Sequence, residues 1–306
     1  MGQYAISCCS TADLTAEHLA ARNINWIPFH AYLDDRHFFD DLGKSISSKD
    51  FYDAMVAGAD SRTSQPNIEQ YVSSFESFLK EGVDLIHVTL SSGISGAFNS
   101  ATIAAQQLRE KYPDRKIYII DSLGASSGFG LLMDRVADKR DEGLDVDELH
   151  EWIEENKLKV QSWFFSTDLT FFVKGGRVSK TAGFIGGALK ICPLLNIDYK
   201  GCLIPREKIR TRKRAIKAAL GKMEELAQGG LDYSGKAYIS HSDCIDDAKE
   251  LARQIEERFP KLAEPVLINN IGTTIGAHTG PGTVALFFWA TSASTRRDAT
   301  QRTYAA

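Results

Sequence analysis

Short apolar runs of β type alternate with amphipathic helical stripes along most of the chain. That alternation constrains the fold more than any other feature of the sequence. Residues 4–8, 24–29, 85–89 and 117–121 read as buried strands. Between and after them, Ala101, Ala104, Ala105 and Leu108 fall on one helical face, as do Phe129, Leu132, Met133 and Val136. Strands separated by helices are the pattern of a parallel sheet, because parallel neighbours need a long crossover. The pattern predicts an α/β/α unit over residues 1–158, closed by a charged helix over 141–156. A second α/β unit is predicted over 159–290. Its strands fall at 162–165, 236–240, 266–270 and 286–289. Its helices are marked by Ile216, Ala219, Leu220 and Met223, and by Ala248, Leu251, Ala252 and Ile255. No Pro- or Ser-rich linker divides the units, so an extensive interface is expected. Residues 291–306 are polar and aperiodic, and are expected to form a disordered tail.

Two domains suit a chain of 306 residues. A net charge of −4 argues against a polycation built to grip nucleic acid. The longest apolar run, 284–290, is seven residues, far short of the ~20 that cross a bilayer as a helix. The first ten residues lack the pattern of a signal peptide. The five cysteines are odd in number and form no CxxC pair, which fits a reducing, cytoplasmic setting. Cys8 and Cys9 face opposite sides of a strand and should not bridge.

Several segments carry candidate chemistry. Residues 91–97, SSGISGA, form a hydroxyl- and Gly-rich turn between a strand and a helix. Amides and the helix dipole favour an anion there, although an ordinary cap uses the same residues. Residues 121–130, DSLGASSGFG, make a similar turn but are not GxGxxG, so a dinucleotide site has little support. Residues 62–66, RTSQP, precede a helix and could simply cap it. His278 lies in a Gly-rich segment between two strands, suited to ligand binding or to structure alike. Arg177 follows two glycines that leave it accessible. Between Arg206 and Lys217 the chain is strongly basic, suiting a solvated helix face or a dock for an acidic protein surface.

Together these pieces resemble the DegV family, which includes the fatty-acid-binding subunits of bacterial fatty acid kinase. The matching segments are STADL at 10–14, TSQP at 63–66, SSGISGAFNSA at 91–101, DSLGASSGFG at 121–130, KGGRVS at 174–179 and IGAHTGPGTVALFF at 275–288. The resemblance implies two α/β domains, the second with a mixed sheet, and a long-chain fatty acid held between them. Thr63, Ser95 and His278 would hold the carboxylate, with Ser64 and Ser127 as neighbours. Phe171, Phe172 and Phe184 are candidates for the acyl tunnel. Arg177 would serve interaction with a kinase subunit, and Arg210 and Arg212 extend that candidate surface. That partner would use ATP and magnesium to phosphorylate the fatty acid to an acyl phosphate for phospholipid synthesis. The chain itself would be a carrier with no metal, no cofactor and no turnover alone.

Two departures from the family pattern stand out. Cys8-Cys9-Ser10 replaces Thr-Asp-Ser, removing an acid, and Ile191-Cys192-Pro193 replaces Ile-Lys-Pro, removing a cation. A second reading is a serine hydrolase acting on acyl esters, with Ser95 as nucleophile, His278 as base and Asp243 as acid. No HGGG-type oxyanion segment accompanies it. A DNA-binding regulator using 206–217 is a third reading, opposed by the acidic balance of the chain.

Overall fold

A computed structural model describes residues 4–179, 191–293 and 296. The first half contains strands β1 (Tyr4–Cys9), β2 (Ile24–Ile27), β3 (His30–Leu33), β4 (Arg36–Phe39), β5 (Ser61–Ser64), β6 (Asp84–Thr89) and β7 (Ile117–Asp121). Its helices are α1 (Ala16–Ala21), α2 (Ser48–Val56), α3 (Ile68–Lys80), α4 (Ala97–Lys111), α5 (Ser126–Asp141) and α6 (Val146–Asn156). The second half runs β8 (Val160–Ser166), α7 (Thr170–Lys174), β9 (Leu194–Ile197), β10 (Leu203–Glu207) and α8 (Arg212–Leu226). It continues with β11 (Tyr238–His241), α9 (Ile245–Arg258), β12 (Leu267–Asn270), α10 (Thr273–Thr279) and β13 (Thr283–Trp289).

The first sheet is wholly parallel, in the order β2-β1-β6-β7, as the helix–strand alternation predicts. Chain order reverses beside β1, and in such folds ligands bind beyond the strand ends near this point. The second sheet is mixed, in the order β10-β9-β8-β13-β11-β12. A third, antiparallel sheet, β4-β3-β5, was not expected from the sequence. Its strands are four residues each, too short to establish a clear alternation.

Two sequence expectations change. The charged stretch 141–156 is not one helix: Gly143, at φ 100°, breaks it, and Asp145 starts α6 with a capping box to Glu148. The segment around His278 is not an open loop but α10, which packs against β5, β3 and α7. One continuous core joins the halves, with Ile6, Val88 and Phe129 packed in the same cluster as Phe164, Phe172 and Phe287. The described part of the expected tail includes a buried residue. Arg296 donates to the carbonyls of Leu123, Ile197 and Asp198, so the tail is anchored at that point.

Candidate functional site

Between the halves lies a cavity of about 310 Å³. Phe29, Leu90, Phe164, Phe172, Leu203 and Phe287 supply apolar wall, while Thr63, Ser64, Ser95, Arg177 and His278 supply polar lining. The polar residues come from separate elements. Thr63 stands opposite Ala31 in the β5–β3 pair and shares its inward face, whereas Ser64 alternates outward to the exposed rim. Pro66 follows the strand, and Asn67 rather than Ser64 caps α3 through a capping box with Gln70. Ser95 lies in the turn after β6, at the carboxyl edge of the parallel sheet. Its hydroxyl accepts the Ala97 N–H at 3.2 Å and faces Gln65 Oε1 at 3.4 Å.

The last turn of α10 brings His278 Nε2 to 2.7 Å from Thr63 Oγ1. Its Nδ1 packs against the backbone of Gly175, where an added Cβ would lie only 2.4 Å away. Burial, reinforced by the nearby Arg177 charge, lowers the His278 pKa to about 4. The ring is therefore neutral at pH 7. With its one proton on Nε2 it donates to Thr63 Oγ1, freeing the threonine O–H for an anion. Arg177 is half-buried rather than free at the surface. Its Nε donates to Ile94 O at 3.3 Å and its Nη1 to Gly175 O. Burial lowers its pKa, but an arginine still carries its charge at neutral pH. The cavity thus combines a cation, hydroxyl donors and an imidazole that orients one of them with a largely apolar wall.

Other expected residues divide. Phe172 is buried and lines the cavity, whereas Phe171 packs on Gly280 outside it; Phe184 lies outside the described residues. Ser127 does not line the cavity. Its hydroxyl donates to Asp13 O at 3.1 Å and accepts from Asn269 Nδ2 at 3.2 Å. Ser126, whose backbone is left-handed at φ 54°, takes the cavity-facing position instead. Arg210 and Arg212 are exposed, and Arg212 pairs with Asp247 at 2.6 Å. Cys9, the departure from the family acid, is buried with Sγ 3.7 Å from both Tyr71 Oη and His87 Nε2. Burial pushes its thiol pKa up to about 11 and lowers His87 to about 3, so both are neutral. Cys192 is likewise buried, its thiol pushed up to about 11.

The arrangement does not make a hydrolase triad: His278 Nε2 is hydrogen-bonded to Thr63, while the Ser95 hydroxyl donates to Gln65 Oε1 and accepts the Ala97 N–H. Among the described residues, no group of three or more His, Cys, Asp or Glu could hold a metal ion. No helix among them is long and apolar enough to cross a membrane. Sequence reasoning missed Gln65 as the neighbour of Ser95 and Arg177 as cavity lining. The first lies inside the TSQP segment; the second follows the two glycines that suggested an accessible side chain, whereas the structure half-buries it.

Comparison with known proteins places this geometry in context. A family model described as "Uncharacterised protein, DegV family" matches residues 4–291. A DegV domain-containing protein of Clostridium perfringens is 35% identical over 288 residues, covering 94% of this chain and 98% of that one. A crystal structure of a DegV lipid binding protein from Thermotoga maritima superposes with a TM-score of 0.82 at 27% identity, covering 95% of this chain and 99% of the other. The Streptococcus pneumoniae Fatty Acid Kinase (Fak) B3 protein, solved loaded with linoleic acid, superposes with a TM-score of 0.79 at 25% identity, covering 95% and 100%.

Proposed function

This chain belongs to the DegV family, and from that premise we propose that it binds a long-chain fatty acid in the interdomain cavity and presents the carboxylate to an ATP-dependent kinase subunit. The observation that carries the reading is the mixed lining of the cavity: Thr63, His278 and Arg177 are drawn together, and phenylalanine and leucine side chains supply apolar wall. A fatty carboxylate is anionic at pH 7 and needs donors wherever water is excluded. The hydroxyls of Thr63 and Ser95 supply them, with neutral His278 holding Thr63 so that its O–H is free to donate, and Arg177 supplies the opposing charge. The tail gives the affinity. At ~0.8 kcal/mol per buried methylene, about 15 methylenes set an upper bound of roughly 12 kcal/mol, reduced by the cost of ordering ligand and walls.

The chain itself presents the ligand and the partner supplies the phosphoryl-transfer machinery, making an acyl phosphate. This part draws support from the likeness to the pneumococcal kinase subunit. It also draws on the start of α8, where Lys213 and Arg214 sit at the helix N-terminus, against the helix dipole, beside Arg212, which pairs with Asp247. Such charges are better placed to meet an acidic partner than to stabilise their own helix. A cytoplasmic carrier of membrane-lipid precursors fits this role. The test is titration of delipidated protein with palmitate and oleate, followed by ATP, magnesium and a candidate kinase subunit. Saturable binding weakened by Thr63→Ala and His278→Ala is expected, as is acyl phosphate formation only with both proteins present. Turnover by this chain alone, with Ser95 labelled by a fluorophosphonate, would restore the hydrolase reading.

A further inference from the structure

The helix that carries His278 has no cap of its own. Gly272 occupies the N-cap position of α10 and has no side chain for the free amides of the first turn. The missing acceptors come from the first half of the chain. Asp13, in the turn after β1, accepts the Gly272 N–H through Oδ1 at 3.0 Å. Asp40, directly after β4, faces the first turn of α10, where the neighbouring Thr273 and Thr274 act against the burial that raises its pKa. Ser10 Oγ donates to Asp40 Oδ2 at 3.1 Å. The other Asp13 oxygen takes the hydroxyl proton of Ser126, at the start of α5.

Both carboxylates are buried, Asp13 at 5% and Asp40 at 2% exposure. Burial pushes both pKa values up, and hydrogen-bond donors rather than cations oppose it. Carboxylates buried in this way are costly unless their acceptor capacity is used. Gly272 makes their approach possible: a Cβ there would lie 2.8 Å from Asp13 Oδ1 and 3.1 Å from Asp40 Oδ1. Glycine at the N-cap therefore exchanges a side-chain cap within the helix for a hydrogen bond from Asp13 and the close approach of Asp40, both from the other half of the molecule.

We infer that Asp13 and Asp40 are positioning residues for the ligand carboxylate: they grip the start of α10 across the domain junction and so fix His278 against Thr63. The ligand in this statement rests on the fatty acid reading, whereas the placement of His278 does not. Full-length Asp13→Asn, Asp13→Ala, Asp40→Asn, Asp40→Ala and Gly272→Ala are compared with the parent protein. Three quantities are read: urea unfolding, the imidazole ¹⁵N resonances of His278 without ligand, and oleate affinity by displacement of a fluorescent fatty acid. Each folded variant should move the His278 resonances, raise its pKa from about 4 and weaken oleate binding by about tenfold, the loss of roughly one hydrogen bond. Asn, which keeps one acceptor oxygen, should do less harm than Ala. Gly272→Ala keeps both acids and serves where an acid variant fails to fold. Loss of stability with parental His278 resonances and parental affinity would overturn the inference, leaving the acids a purely structural role. If the parent binds no fatty acid, the functional reading fails, and the His278 resonances still decide this one.

Discussion

Replacing Gly175 by alanine adds one methyl group, aimed at the His278 ring. The Gly175 backbone is right-handed, at φ −72° and ψ −9°, so alanine fits without backbone strain. In the unfolded chain the substitution alone favours folding by about 0.4–1 kcal/mol. The new Cβ, however, would lie 2.4 Å from His278 Nδ1 and 3.3 Å from Cε1 and Cγ. Overpacking of this kind costs roughly 1–3 kcal/mol, so net destabilisation should be about 0–2.5 kcal/mol, from the difference of those terms. The larger effect falls on the site. The ring relieves the clash by moving off Thr63, and the 2.7 Å contact is lost. A hydrogen bond to a charged partner is worth about 1.5–3 kcal/mol, so oleate affinity should fall by roughly 10- to 100-fold. Fluorescent fatty acid displacement measures the affinity, and the His278 ¹⁵N spectrum reports the ring. Parental affinity in a folded Gly175→Ala protein would refute the claim that His278, in this position, helps hold the carboxylate.

Stability should carry a signature of the neutral His278. Its folded pKa of about 4 lies below the ordinary value of 6.5, so the unfolded chain binds more protons between these values. Its contribution is complete above pH 6.5 and is lost as pH falls through 4, at up to about 1.4 kcal/mol per pH unit. His87, lowered to about 3 by burial, acts in the same direction. Urea unfolding at pH 7 and pH 5 should show a shallower loss in His278→Asn than in the parent, and identical slopes would contradict the assignment. Arg177→Ala should raise the His278 pKa, since the guanidinium helps to depress it; an NMR titration with an unmoved midpoint would count against their coupling. Phe172→Ala removes a fully buried ring from the cavity wall, costing about 3–5 kcal/mol of stability and shifting the acyl preference toward longer or bent chains. Parallel palmitate and oleate titrations check this.

The parallel sheet was legible because buried strands and amphipathic helices leave strong periodic signals. The predicted strand at 117–121 coincides with β7, and the stripe from Ala101 to Leu108 lies within α4. Thr63, Ser95 and His278, which the structure places around one cavity, were singled out for a different reason, through ordered motifs resembling a family, since each segment alone also fits a cap or a turn. What escaped notice was non-local. The short strands β3, β4 and β5 acquire meaning only by pairing with one another. Ser127 and Ser126 differ in sequence by one position, and the left-handed backbone at Ser126, which turns it toward the cavity, has no local signal. The approach of Asp13 and Asp40 to the start of α10 joins residues more than 230 positions apart. In the sequence the first belonged to STADL and the second to no motif, and neither hinted at His278.

The central claim is that a single fatty acid occupies the interdomain cavity. Native mass spectrometry of the full chain purified from bacteria, paired with extraction and identification of the bound lipid, tests it most directly. The structure predicts one fatty acid per chain, lost when Thr63 and His278 are both replaced by alanine. Parent protein that emerges without lipid and takes up no fatty acid when offered palmitate or oleate would contradict it.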